Sequence, residues 1–107
     1  MSKRVFVTAS TARSNARNAS VIHGEVRDIE TEIFANIDLG LLYANVTSNT
    51  TMTDSNVYYY AYYGIQNNAT VVDQIVSVKE YFQSLGYGVN ILTNPETNVN
   101  ITWNISW

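Results

Sequence analysis

Apolar residues along this chain fall into three rhythms. From Val21 onward, Ile22, Val26, Ile29, Ile33 and Ile37 step by four, three, four and four, which draws one continuous stripe along a helix. Glu25, Arg27, Asp28, Glu30 and Glu32 fall largely off that stripe. Asn18 or Ser20 is placed to cap the start, because a short side-chain oxygen accepts orphan N–H groups of a first turn. Leu39-Gly40-Leu41 closes it, since glycine enters the left-handed region without a side-chain clash. A second stripe, Val71, Ile75, Val78, Phe82 and Leu85, steps by four, three, four and three. Thr70 with Asp73 reads as a variant capping box at its start, and Leu85-Gly86-Tyr87 ends it, with Tyr87 placed to fold back onto Phe82. The third rhythm has period two. Val99, Ile101, Trp103, Ile105 and Trp107 alternate with Asn100, Thr102, Asn104 and Ser106, so one strand face meets a core and the chain ends inside its own sheet.

Shorter alternations follow both helices: Leu42, Ala44 and Val46 after the first, Val89 and Ile91 after the second. The shared Leu-Gly-hydrophobic passage hints at a duplicated α-β unit, although few identities match outside the helix ends. Asn94-Pro95-Glu96-Thr97-Asn98 is a turn with a mechanism, because proline presets one dihedral and asparagine tolerates the left-handed region. The last two strands therefore form a hairpin. The expected fold is α+β: a small two-layer domain, two helices packed on one face of a mainly antiparallel sheet that ends in a C-terminal β-hairpin. Gly40, Phe82, Leu85, Gly86, Tyr87, Trp103 and Trp107 are its architectural residues, with the two tryptophans anchoring the hairpin on the helices. Strand order stays open.

Val57-Tyr58-Tyr59-Tyr60-Ala61-Tyr62-Tyr63-Gly64 reads two ways. Aromatic propensity leans toward a strand with Tyr58, Tyr60 and Tyr62 on one face. As a helix, Tyr58, Tyr62 and Ile65 line up with the stripe that begins at Val71. Ser48 to Asn56, rich in Thr, Ser and Asn, is a loop in either case.

At 107 residues the chain fits one domain with one modest core. Lys3, Arg4, Arg13 and Arg17 precede every acidic residue, whereas all nine carboxylates from Glu25 onward face only Arg27 and Lys79. Residues 1–17 thus read as a loosely ordered basic arm on an acidic body, and four charges make too weak a footprint for nucleic acid. The absence of cysteine excludes a disulfide framework, a thiolate zinc site and a cysteine nucleophile. No apolar run approaches the roughly 20 residues of a membrane helix, and neither a signal peptide nor a membrane partner is expected.

Candidate chemistry is sparse. Tyr58, Tyr59, Tyr60, Tyr62 and Tyr63 suit a subunit interface or a stacking platform for sugar rings, since tyrosine joins a flat apolar face to a polar rim. Five such residues cannot all be buried on one face of a single element. His23 is the only histidine, so no two-histidine metal site exists, and a catalytic role would require a concave site holding it with nearby carboxylates. Glu25, Asp28 and Glu32 share helix spacing that in principle holds a hard cation, but it equally describes a solvated face. Six Asn-x-Ser/Thr triplets, at Asn18, Asn45, Asn49, Asn68, Asn100 and Asn104, follow from an Asn- and Thr-rich composition. Phosphate loops, serine elbows and paired-carboxylate signatures are absent. Neither an enzyme nor a cofactor is expected.

Glu80-Tyr81-Phe82-Gln83-Ser84-Leu85-Gly86-Tyr87, then Thr93-Asn94-Pro95-Glu96-Thr97, then Ile101-Thr102-Trp103-Asn104-Ile105-Ser106-Trp107 resembles the C-terminal pattern of small proteins of marine tailed phages, especially cyanophages. Val21-Ile22, Glu25 and Ile29-Glu30 extend the likeness through most of residues 18–107, while Asn98 stands where a glycine often follows the turn threonine. The resemblance implies a virion-associated or accessory structural protein of the virion or host cytoplasm, self-assembling or bound to other virion proteins. It carries over no catalytic residue.

Overall fold

The computed structural model describes residues 9–107, with side chains from residue 19 onward. Lys3 and Arg4 of the expected basic arm, and the side chains of Arg13 and Arg17, lie outside the described residues. Six elements follow in order: α1 (Ala9–Asp38), β1 (Tyr43–Val46), α2 (Asn56–Tyr62), α3 (Ala69–Ser84), β2 (Gly88–Thr93) and β3 (Ile101–Ser106). α1 begins well before the expected caps at Asn18 and Ser20. Ala12, Arg13, Ala16 and Arg17 have high helix propensity, so the helix runs past a residue that would cap only an isolated segment. α3 likewise begins before Thr70. Asn68 caps it, its Oδ1 accepting from Val71 N at 3.2 Å, which places Thr70 inside the first turn.

Both long helices end as their glycines predict. Gly40 (φ 77°) donates to Ile37 O at 2.9 Å while Leu41 N donates to Asn36 O at 2.9 Å. Gly86 (φ 96°) repeats the pattern on Gln83 O, and Tyr87 N reaches Phe82 O at 3.1 Å. This paired-bond cap satisfies two orphan carbonyls per helix. The Phe82 and Tyr87 rings meet edge to face at 5.9 Å, the apolar contact that goes with the cap. Leu85, by contrast, is not part of the buried stripe. It occupies the cap position and is 60% exposed.

The three strands form one antiparallel sheet in the order β1-β3-β2, so the last strand is the middle one. Asn104 lies opposite both Asn45 and Asn90, and Trp103 opposite both Val46 and Ile91. Each helix-strand passage thus supplies one flank of β3. Leu42 falls outside β1 and is exposed, while Ala44 and Val46 face the core as expected. Ile101, Trp103 and Ile105 are fully buried against Val26, Ile29 and Ile33 of α1 and Ile75, Val78 and Phe82 of α3. The alternation that named β3 as half-buried therefore marks the centre of the core. Trp107 is half-buried, its ring 6.2 Å from Tyr87.

The tyrosine block forms helix α2, against its strand propensity. Ser55 caps it by accepting from Val57 N, and Gly64 (φ 73°) closes it with Ile65 N on Tyr60 O at 2.8 Å. The buried face is Tyr58 and Ala61, packed on α3, rather than Tyr58, Tyr62 and Ile65. Local caps at both ends plus this tertiary contact outweigh the roughly 1 kcal/mol span of strand propensity. The α+β two-layer architecture therefore holds, with a third short helix beside the two long ones.

Candidate functional site

Helical geometry spreads the tyrosines around α2. Tyr58 points inward and its hydroxyl donates to Gln74 Oε1 of α3 at 3.2 Å. Tyr59 and Tyr60 are half-buried, and Tyr62 and Tyr63 are exposed. The Tyr63 ring sits 4.8 Å from Tyr59 at 47° and 5.0 Å from Tyr62 at 90°, and its hydroxyl accepts from Thr93 Oγ1 of β2 at 3.1 Å. These rings interlock by their edges. They present a corrugated aromatic ridge rather than the coplanar shelf a sugar ring stacks on.

A second outward surface lies at the opposite end of the sheet. Tyr43 and Gly88 both lie opposite Ser106, so the Gly40 and Gly86 turns stand side by side at that end, with Trp107 N bonded to Leu42 O at 3.0 Å. There Leu39 is 73% exposed, Leu42 68% and Leu85 60%, with Phe34, Ile37, Leu41 and Tyr43 also in solvent. Single exposed leucines are ordinary, whereas several at one end of so small a molecule make that end a candidate interaction surface.

Glu25 departs most from its expected place. It is 1% exposed instead of lying on a solvated face with Asp28 and Glu32. Its Oε2 accepts from Thr50 Oγ1 at 2.7 Å and from Trp103 Nε1 at 3.0 Å, and its Oε1 accepts from Met52 N at 3.2 Å. Thr50 and Thr53 exchange reciprocal bonds, Thr53 N donating to Thr50 Oγ1 at 3.0 Å and Thr50 N to Thr53 Oγ1 at 3.3 Å. Burial raises the Glu25 carboxyl above its ordinary value, opposed by the donors from Thr50, Met52 and Trp103. Burial, and then the nearby Glu25 charge, also raise the Tyr58 phenol. A signal for an inward Glu25 was present in the sequence: it stands three residues after Ile22 and four before Ile29, at the border of the apolar stripe rather than opposite it. What could not be read there is the partner set, which comes from a loop and a strand remote in sequence.

The other candidates separate. His23 is exposed and lines a groove between α1 and α3, whereas Glu25 points to the core, so the two do not share a site. Asp28 and Glu32 stay on the surface, and no group of three metal-ligating side chains occurs among the described residues. No described helix is long and apolar enough to cross a membrane. On the sheet face away from the helices, Asn45, Asn104 and Asn90 form one row across the three strands, with Asn104 Nδ2 donating to Asn45 Oδ1 at 2.6 Å.

No family model matches the chain, and no curated protein or solved structure is significantly similar to it.

Proposed function

We propose that this chain is a non-enzymatic structural or interaction protein that assembles with copies of itself. The observation that carries this reading is the apolar end around the Gly40 and Gly86 turns, where Leu39, Leu42 and Leu85 lie in solvent beside Trp107. Covering such side chains removes apolar area from water at roughly 25 cal/mol per Å², a gain that only a partner supplies. The tyrosine ridge adds a second surface of the composition that interfaces favour. Association with a phage virion rests on the sequence resemblance and belongs to the same proposal.

Sedimentation velocity at micromolar concentration tests the assembly. The expected result is an oligomer that Leu39→Asp with Leu42→Asp returns to a folded monomer. A wild-type monomer over that range overturns it. Mass spectrometry of purified virions tests the narrower association, which fails if the chain is consistently absent.

A carbohydrate-binding module is the second reading, favoured by the open sheet face rather than by α2. The Asn45, Asn104 and Asn90 row offers carboxamide donors and acceptors beside the half-exposed Tyr43, with no charged residue among the outward positions of the strands. A glycan array without signal removes this reading.

A further inference from the structure

We propose that the groove between α1 and α3 is a binding site for a small organic monocarboxylate with an apolar body. The groove is open along one side and has a volume of about 400 Å³, within the range of small-molecule sites. Its floor is Ile22 and Val26, which are continuous with the core. One wall carries His23, Arg27 and Glu30, spaced by four and three along α1, and the other carries Ser77 and Tyr81, four apart on α3. The two stripes therefore face each other across an apolar trough.

Charge selects the ligand's head group. Arg27 is one of two cations against nine carboxylates from Glu25 onward, yet its guanidinium has no partner among the described residues. A guanidinium presents up to five N–H donors in a planar fork that matches a carboxylate. Ser77 and Tyr81, which line the facing wall, each carry a hydroxyl able to donate, and the Tyr81 ring is held edge to face against Phe82 at 5.1 Å. Glu30, three residues beyond Arg27, repels a second negative charge, which favours a monoanion over phosphate. The apolar part of the ligand lies along Ile22 and Val26.

Titrating the full chain with 3-phenylpropanoate, its amide, its amine analogue and inorganic phosphate, followed by amide chemical shifts, tests the site. The expected result is that the acid shifts resonances of residues 22–30 and 77–81, and binds about tenfold more tightly than the amide. Arg27→Gln removes that preference, while Glu30→Gln strengthens acid binding. Equal binding of amide and acid makes the groove an apolar trough only and overturns the proposal. Preference for the amine or phosphate, shifts confined to other residues, or no shift at millimolar acid does the same.

Discussion

At the end of the sheet marked by Tyr43, Ser106 and Gly88, the chain turns largely through backbone bonds and leaves leucines in water. At the other end, beyond Val46 and Thr93, side chains fasten the turns. Asn94, 6% exposed, donates from Nδ2 to Thr47 O at 2.9 Å and accepts from Glu96 N at 2.9 Å. Asn100 Nδ2 reaches Thr53 O at 2.6 Å, and Asp54 Oδ1 accepts from Asn49 N at 2.9 Å. Glu25 ties the same loop to α1 and β3. One end fastens its turns with side-chain polar bonds, with the Tyr62 and Tyr63 rings exposed beside them, and the other leaves leucines in solvent. Under the proposed assembly, the difference separates what stabilises one copy from the surface offered to another.

The sharpest way to break that contrast is at Glu25. Glu25→Ala leaves the Thr50 hydroxyl, the Met52 N–H and the Trp103 indole N–H without their acceptor in a closed site, and should cost about 3 kcal/mol in urea unfolding. Asn94→Ala removes one bond that joins the hairpin turn to the loop after β1, to Thr47 O, and one within the turn, from Glu96 N, with an expected loss of about 2 kcal/mol. Leu39→Ser with Leu42→Ser belongs to the other end. It should change monomer stability by no more than about 0.5 kcal/mol, because nothing in the fold covers these side chains. If that pair costs as much as Asn94→Ala, the apolar end is structural and the comparison fails.

The pH response sharpens the same picture. Because the folded-state value of Glu25 is raised, the folded chain binds its proton more tightly than the unfolded chain does. The resulting stabilisation is fully present below the ordinary carboxylate value and is lost as pH rises through the raised one. Thermal unfolding followed from acid toward neutral pH should show this loss, and Glu25→Gln should flatten it. An unchanged slope in the variant would mean that other carboxylates set the response.

Much of the scaffold was legible locally. Gly40 and Gly86 forecast both long-helix ends, because a left-handed residue after an apolar stripe has few other uses. The Asn94 to Asn98 segment forecast the hairpin turn: Asn94 N bonds to Asn100 O at 2.8 Å, and Asn98 takes φ 58°. Less legible was α2, where strand propensity and helical phase pointed in different directions until Ser55, Gly64 and the face of α3 decided. The candidate surfaces were least legible. Exposure of Leu42 and Leu85 depends on where β1 begins and where α3 ends, by one residue in each case.

The sequence by itself determined the periods of the two long helices and of β3, the C-terminal ends of those helices and the hairpin, since each depends on residues within about one or two turns of one another. Only the tertiary structure decided that β3 is the central strand, that Glu25 is a buried acceptor and that the tyrosines split between core and surface. Those outcomes depend on partners such as Glu25 and Trp103, 78 positions apart, that no local pattern brings together.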